Sequence, residues 1–361
     1  MRAAIMRGGA IVVDEIDDLE PQDGHVVVKT LACGICGSDL HALKHSHDMS
    51  RVQGEVGGSM NFDPNRDLIM GHEFCAEIIA TTPNAVLPEG TIVCSVPMAF
   101  ANGRPAAVGY NNDLPGGYAE QMLLSDRLLL PVPNGLDPQL AAMTEPMAVG
   151  RHAVEKSNAT TDDVILVVGC GPVGLAVIAA LKQKGLGPVI AADFSPRRRS
   201  FAENLGADLV LDPSERSPYE TWADTAWEGR LPDDRDRHDP LLGILGFAPA
   251  PGLIFECVGV PGVINQVMSG SMRHSRIVIV GVCMENDSIR PLMGTSKELN
   301  LQFVLGYTPD EFADTLRGIS EGELEVAQLV TGTVGLDGVA EAFQALADPE
   351  AHAKIMVDPT R

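Results

Sequence analysis

A short glycine pattern directly after an apolar run constrains the fold of this chain more than any other feature. Val164–Val168 is continuously apolar, as expected for a strand buried in a parallel sheet. Gly169, Gly171 and Gly174 follow at the spacing Gly-x-Gly-x-x-Gly, and an apolar helix is predicted to run on through Leu181. In this context the glycines permit a tight turn, close approach of a pyrophosphate to the backbone, and close packing of the helix on the strand. The pattern predicts a dinucleotide-binding site.

Strands and helices alternate after this pattern. Further strands are predicted at Val189–Ala192, Leu253–Cys257, Ile277–Val280 and Leu301–Leu305, and a helix at Arg197–Leu205. A regular βα alternation is typical of a doubly wound sheet of parallel strands. The fold class predicted for this half of the chain is therefore α/β.

An acidic residue at the end of the second predicted strand bears on the choice of dinucleotide. Asp193 lies nineteen residues after Gly174. A carboxylate there accepts hydrogen bonds from the adenosine ribose and repels a 2′-phosphate, which favours NAD over NADP. The three arginines at 197–199 argue in the opposite direction, because guanidinium groups can accommodate that phosphate.

The first half of the chain contains residues of the types that bind zinc. Cys36 offers a thiolate, His72 an imidazole, and Glu73 and Glu145 compete as carboxylate ligands. A catalytic zinc takes three protein ligands and leaves one position open. The competing interpretation is that Cys36 and His72 are ordinary core residues. Cys33 completes a Cys-x-x-Cys pair with Cys36, but no second pair exists, so we predict that Cys33 serves packing.

Three motifs carry a resemblance to a known family. Cys36–His41 reads CGSDLH, Gly71–Glu73 reads GHE, and Glu145–Gly150 reads EPMAVG. In this order, ahead of the glycine pattern, they resemble the signature of zinc-dependent medium-chain alcohol and polyol dehydrogenases. The resemblance implies an irregular β-rich (GroES-like) catalytic domain at 1–147 and 307–361, and a Rossmann domain at 148–306.

The resemblance also implies roles for the metal-site residues. Glutamate at the position of Glu145 is similar to the polyol and secondary-alcohol branch, so Cys36, His72 and Glu145 are expected as the main ligands. Glu73 is expected to exchange in and out of the coordination shell. Asp39, three residues after Cys36, is expected to accept a hydrogen bond from the metal-bound His72.

Further roles follow from the same resemblance. Ser38 matches the hydroxyl that takes the substrate proton, and His41 matches the relay residue that passes it to water through a cofactor ribose hydroxyl. Arg198 matches a position over the adenine or ribose. The remaining residues expected to contact the cofactor are Pro172, Val173, Val258 and Val282.

The implied activity is hydride transfer between a secondary alcohol or polyol and NAD, with alcohol and ketone interconverted. Two alternatives stay open: a zinc-free quinone or enone reductase of the same superfamily, and a non-enzymatic binding protein on this fold. In many relatives the region matching 99–117 has four clustered cysteines that bind a structural zinc, whereas here it has none. We therefore predict one catalytic zinc per chain.

Composition limits the partners. The formal net charge of −23 argues against nucleic acid and anionic membranes. No stretch reaches the roughly 20 apolar residues of a membrane-spanning helix, and no signal peptide is apparent at the N-terminus. Seven cysteines without framework spacing suit a reducing cytoplasm. The expected partners are a small-molecule alcohol or ketone and further copies of the chain, in a homodimer or homotetramer.

The remaining segments carry structural predictions only. Residues 42–68 are predicted as a long polar loop with His45 and His47 in solvent, and 213–251 as a surface excursion or a subunit contact. That excursion holds two tryptophans and the charged run 233–239. The other predictions are strands at Ala3–Met6, Ala10–Val13, His25–Val28, Phe74–Ala80 and Thr91–Val96, helices at Pro309–Ile319 and Val339–Ala347, and an edge strand at Lys354–Val357.

Overall fold

The computed structural model describes residues 1–101, 103–233 and 235–361. Asn102, in the 99–117 region, and Asp234, in the charged run, lie outside the described residues. The described residues divide into two compact units, Met1–Pro146 with Thr308–Arg361 and Met147–Tyr307. Within them, no helix combines the length and hydropathy needed to span a lipid bilayer.

The first part of the chain is rich in short strands. Its elements are β1 (Arg2–Arg7), β2 (Ala10–Glu15), β3 (His25–Gly34), α1 (Gly37–Val56), β4 (Glu73–Ala80), β5 (Ile92–Ser95), β6 (Met98–Ala101), β7 (Arg104–Ala107), β8 (Gln121–Ser125), β9 (Leu129–Pro131), α2 (Pro138–Ala142) and α3 (Thr144–Ser157).

Strands and helices then alternate. The elements are β10 (Val164–Val168), α4 (Pro172–Gln183), β11 (Val189–Ala192), α5 (Pro196–Asn204), β12 (Leu209–Leu211), α6 (Pro218–Trp227), β13 (Gly252–Glu256), α7 (Val263–Gly270), β14 (Arg276–Ile279), α8 (Pro291–Lys297) and β15 (Asn300–Phe303). The strands form one sheet in the order β12-β11-β10-β13-β14-β15, and neighbouring strands run parallel. The prediction of a doubly wound parallel sheet is confirmed.

The order of this sheet identifies where a ligand can bind. β10 and β13 lie side by side at its centre, and the chain moves outward through β11 on one side and through β14 on the other. Ligands of such sheets bind beyond the carboxyl ends of the strands at this reversal. The glycine pattern follows β10, so the fold brings it to that edge.

The chain ends with α9 (Pro309–Ser320), β16 (Val330–Val334), α10 (Val339–Ala345) and β17 (Lys354–Val357). β17 pairs with β3, so this segment completes the sheet β16-β17-β3-β4-β5-β9, with β8 also on β3. The prediction that β17 is an edge strand is wrong, because β16 lies outside it. β16, Val-Thr-Gly-Thr-Val, is only partly buried, and the prediction overlooked its β-branched residues, which are typical of strands.

The prediction of a loop over 42–68 is wrong for residues 42–56, which are helical in α1. The helix ends at Gly57, whose φ of 65° is left-handed. It carries His45 and His47 and is kinked at His45. Only Asp39, Ala42 and Met49 are buried along it, so the sequence lacks the apolar stripe by which a helix is recognised.

The prediction of a surface excursion at 213–251 is wrong for α6. Trp222 is fully buried, and its Nε1 donates to the Val164 carbonyl at 2.8 Å. The helix therefore covers one face of the parallel sheet beside Ile190 and Ile254. The idea that this segment forms a subunit contact stays a prediction.

Candidate active site

The start of α1 explains the spacing between Cys36 and Asp39. Cys36 is the N-cap residue, with extended backbone angles, and Asp39 is in the first helical turn. The Asp39 carboxylate turns back and its Oδ2 accepts the Cys36 backbone N–H at 3.0 Å. An acidic residue at this position caps a helix and is favoured by the helix dipole. The capping interaction fixes the backbone that presents the Cys36 thiol.

Three potential metal ligands converge in the first unit. One ligand atom from each of Cys36, His72 and Glu73 lies within 4.8 Å of the others. Zinc–ligand bonds of about 2.0 to 2.3 Å require tetrahedral donors about 3.3 to 3.8 Å apart, so small side-chain rotations would close this set around an ion. A thiolate, an imidazole and a carboxylate are the donor types that zinc takes.

Glycine at position 71 is required for His72 to enter this cluster. Gly71 has a φ of 102°, in the region that favours glycine. A Cβ there would lie 2.8 Å from Tyr118 Cδ1 and 2.9 Å from Cys33 Sγ. The chain turns in this confined space, places His72 against the cluster and continues as β4 from Glu73. Cys33 is itself buried in this packing.

Asp39 is the centre of a buried hydrogen-bond network that the sequence did not reveal. Tyr110 and Tyr118 both approach its carboxylate with their hydroxyl groups, at 2.8 and 2.7 Å. Burial alone would raise the pKa of the Asp39 carboxyl, but the nearby His72 imidazole and the hydroxyl groups of both tyrosines hold that pKa below its usual value. Asp39 is thereby kept as an acceptor.

The imidazole of His72 faces this carboxylate. Its Nδ1 lies 3.5 Å from Oδ1 of Asp39, and within the described residues this buried nitrogen lacks a hydrogen bond of standard geometry. A histidine that binds a metal through one ring nitrogen usually donates the other N–H to a carboxylate. The orphaned Nδ1 therefore fits a ring that binds a metal through Nε2.

Glu73 has a cationic partner that sequence reasoning missed. Lys354, on β17, places Nζ 2.7 and 2.6 Å from the two carboxylate oxygens of Glu73, and also donates to the Ile35 carbonyl. Burial would lower the pKa of Lys354, but the charges of Glu73 and Cys36 raise it above its ordinary value. A lysine at the start of the otherwise apolar strand Lys-Ile-Met-Val was the available signal.

Glu145 occupies a different position from Glu73. It is the second residue of α3, is buried, and lies outside the group whose ligand atoms fall within 4.8 Å of one another. Its charge nevertheless helps raise the pKa of Lys354. The structure thus assembles Cys36, His72 and Glu73 most closely and keeps Glu145 within electrostatic reach of the same lysine.

Ser38 and His41 both lie at the beginning of α1. The Ser38 hydroxyl is 2.8 Å from the Tyr110 hydroxyl. His41 is half-buried, and burial, together with the nearby charges of His45 and Lys44, lowers its pKa below the ordinary value of 6.5. Among the described residues, no hydrogen bond joins Ser38 directly to His41, so a relay between them needs an intervening group.

The glycine pattern in the second unit has the geometry that its spacing predicts. Gly169 has a φ of 91° after β10, and Gly171 is the N-cap of α4, which begins at Pro172. A Cβ on Gly174 would lie 1.9 Å from the Gly169 carbonyl oxygen, so only glycine permits this approach of helix to turn. Val173 lies in the same first helical turn. The N-terminus of α4 presents free N–H groups suited to a phosphate.

Asp193 directly follows β11 and faces the same turn. Its Oδ2 accepts the Cys170 N–H at 2.7 Å and its Oδ1 accepts the Ser195 N–H at 2.8 Å. Arg198 lies 4.0 Å from Oδ2. Asp193 therefore organises the glycine turn as well as presenting a carboxylate at the carboxyl edge of the sheet.

Two valines expected near a cofactor lie after the next two strands. Val258 follows β13 and packs against Gly169, and the Val282 backbone lies against Gly259. Both side chains are exposed. Exposed apolar side chains at this edge offer surface against which a flat ring system could pack.

Two family models match the sequence. The model described as alcohol dehydrogenase GroES-like domain matches residues 22–134, and the model described as zinc-binding dehydrogenase matches residues 172–321. The first match confirms the predicted GroES-like domain.

Similar proteins include polyol and diol dehydrogenases. (R,R)-butanediol dehydrogenase of Bacillus subtilis is 29% identical over 97% of this chain and 96% of its own length. Sorbitol dehydrogenase of the same species is 24% identical over 100% of this chain and 98% of its own. The crystal structure of 2R,3R-butanediol dehydrogenase from Bacillus subtilis superposes with a TM-score of 0.76 at 28% identity, covering 99% of both chains.

Proposed function

Because this chain belongs to the zinc-dependent medium-chain alcohol and polyol dehydrogenases, we propose that it interconverts a secondary alcohol or polyol and the corresponding ketone with NAD. The observation that carries the proposal is the convergence of Cys36, His72 and Glu73. Diol and polyol activities among the similar proteins support a substrate with neighbouring hydroxyl groups.

The metal-site proposal assigns one zinc per chain. Cys36 and His72 are its permanent ligands and Glu145 the third, while Glu73 exchanges with it. The buried pair of Glu73 and Lys354 supports this division, because the lysine already neutralises that carboxylate. When bound, zinc acts as a Lewis acid on the alcohol oxygen, and the nicotinamide accepts the hydride.

The residues of this chain then handle the proton and the orientation. Ser38 accepts the hydrogen bond of the alcohol and passes the proton outward, and His41 delivers it to water. The lowered pKa of His41 supports this role, because a neutral imidazole can accept a proton at lower pH than an unperturbed one. Asp39 holds the ring of His72 in place.

For the cofactor we propose NAD over NADP. The N-terminus of α4 holds the pyrophosphate, Asp193 binds the ribose, and Arg198 lies beside it. The exposed Val258 and Val282 flank the ring system. The carboxylate of Asp193 at the strand end supports NAD, since a 2′-phosphate would meet a negative charge.

We also propose that the chain forms a homodimer or homotetramer through β15. This edge strand has the sequence Asn-Leu-Gln-Phe without a charge or a proline, and Phe303 is 66% exposed. Edge strands of this kind pair with another chain unless something covers them. A cytoplasmic location stays a prediction from cysteine usage.

One experiment tests the function. Purified protein would be assayed for zinc by elemental analysis and for reduction of NAD and NADP with aliphatic, cyclic and vicinal secondary alcohols. Zinc near one equivalent with NAD-linked oxidation of a diol or polyol is the expected result. Activity on quinones or enones without zinc would instead assign the chain to the zinc-free reductases.

A further inference from the structure

Tyr110 joins two residues at the start of α1 that have different tasks. Its hydroxyl oxygen lies 2.8 Å from Ser38 Oγ and 2.8 Å from Asp39 Oδ1. The side chain is 2% exposed, and its ring lies 5.2 Å from the ring of His72. The phenol thus sits at a fixed point between the hydroxyl proposed to take the substrate proton and the carboxylate that faces the metal cluster.

Tyr110 has one hydroxyl hydrogen for these two neighbours. Asp39 also receives the Tyr118 hydroxyl at 2.7 Å and the Cys36 N–H at 3.0 Å, so it acts as an acceptor. When Tyr110 donates to Asp39, its own oxygen accepts from Ser38. When Tyr110 donates to Ser38 instead, Asp39 keeps its other two donors. The bond between Tyr110 and Ser38 can therefore form with either polarity.

We propose that Tyr110 is a positioning residue that holds the Ser38 hydroxyl in one rotamer beside the proposed metal ligands. This proposal rests on the proposed function of Ser38 and adds a residue to it. A serine hydroxyl has three staggered rotamers, and a partner fixed in space selects one of those that the backbone allows. Tyr110 is such a partner, because burial, the Asp39 bond and the His72 ring hold it.

The polarity in which Tyr110 donates to Ser38 serves both directions of the reaction. In alcohol oxidation Ser38 accepts a hydrogen bond from the substrate, and in ketone reduction it donates one. Because the single Ser38 hydrogen is passed outward in oxidation and to the ketone in reduction, Tyr110 holds Oγ in both cases by donating its own hydroxyl hydrogen to it. A phenylalanine at this position would keep the ring packing and lose both bonds.

Tyr118 provides a matched control. Its hydroxyl makes a bond of the same kind to Asp39 but is not bonded to Ser38. Tyr110→Phe and Tyr118→Phe in the zinc-loaded enzyme therefore each remove one donor from the same carboxylate. We expect Tyr110→Phe to lower kcat about tenfold more than Tyr118→Phe does in both directions, with unchanged zinc content in both variants.

A double-mutant cycle tests whether Tyr110 acts through Ser38. In a Ser38→Ala background, Tyr110→Phe should cause no further loss of kcat. A tenfold loss in both backgrounds, or an equal loss in Tyr118→Phe, would overturn the proposal. Zinc loss that accompanies the activity loss in Tyr110→Phe would overturn it as well, because it would indicate a role in building the cluster.

A second measurement does not depend on turnover. Crystal structures of the two variants should show the Ser38 side chain spread over several rotamers in Tyr110→Phe and in a single rotamer in Tyr118→Phe. An unchanged single rotamer in Tyr110→Phe contradicts the proposal whether or not the enzyme is active. Failure of the proposed function would appear separately, as a wild-type protein that oxidises no alcohol in the panel.

Discussion

Lys354 and Glu73 form an ion pair in the interior of the first unit. The lysine Nζ lies 2.7 and 2.6 Å from the two carboxylate oxygens, and the two side chains are 2% and 1% exposed. A buried pair contributes little compared with an apolar pair of the same shape, but removal of one partner leaves an uncompensated charge. Replacement of one partner should therefore destabilise the protein more than replacement of both.

Lys354→Met should lower the free energy of unfolding by about 3 to 5 kcal/mol, because Glu73 is left buried without its cation. The double variant with Glu73→Gln should recover part of that loss. Urea denaturation of the metal-free protein measures both. Lys182→Met is the control, since its pair with Asp208 is 32% and 46% exposed and should contribute less than about 1 kcal/mol. Equal losses of unfolding free energy in Lys354→Met and Lys182→Met would refute the interpretation of Lys354 and Glu73 as a buried ion pair.

Cys36→Ala should remove both zinc and turnover, because the thiolate is a proposed ligand. Elemental analysis after gel filtration measures the metal, and NADH formation measures the activity. Cys283→Ala, which alters a partly exposed thiol in the other unit, should retain both. Two zinc ions per wild-type chain would contradict the single site.

The acid limb of the pH–rate profile should report His41. Burial first, and then the charges of His45 and Lys44, lower its pKa, so His41 is expected to stay mostly neutral at pH 6.5. His45→Gln removes one of these charges and should move the His41 pKa, and with it the acid limb of kcat, to higher pH. NMR titration of the ring protons gives the pKa directly. His47→Gln should shift neither, and a shift of equal size there would argue against the assigned cause.

Asp193→Ser should weaken the preference for NAD over NADP, since it removes the carboxylate that repels a 2′-phosphate. The ratio of kcat/KM for the two cofactors is the measurement. Asp193 also bonds the Cys170 and Ser195 N–H groups, so an overall loss of affinity for both cofactors is expected alongside. Asp212→Asn, which alters a carboxylate paired with Arg199, serves as control. A wild-type preference for NADP would overturn this reading.

Phe303→Lys should disrupt the proposed assembly, because a charge on the edge strand opposes pairing with another copy. Light scattering after gel filtration should show a smaller species than the wild type. Leu209→Lys places the same charge on β12, the opposite edge strand, and should leave the assembly intact. A wild-type monomer at micromolar concentration would remove the basis of the proposal.

The sequence predicted what local patterns encode. Apolar runs and turn residues act over a few neighbouring positions. For this reason the sequence predicted the strands at Val164–Val168 and Val189–Ala192 and the glycine turn. The helix α1 was missed because only Asp39, Ala42 and Met49 are buried along it, which leaves no apolar stripe in the sequence. β16 was missed because its strand is only partly buried.

The residues around the cluster were harder to predict for another reason. Tyr110 and Asp39 are in contact although they are 71 residues apart in the sequence, and Lys354 and Glu73 are 281 residues apart. Contacts at these separations leave no local periodicity in the sequence. The partner of a buried lysine or tyrosine can therefore be identified only once the fold is known. The motifs predicted the candidate metal ligands and left out the groups that surround them.

The same separation has a consequence for biosynthesis. At about 5 to 20 residues per second, the ribosome adds Lys354 roughly 14 to 56 s after Glu73. Until β17 is made, β3 lacks that neighbour and Glu73 lacks the cation that the complete chain supplies. A nascent chain that ends before β17 therefore leaves Glu73 open to ions in solution before the pair with Lys354 can form.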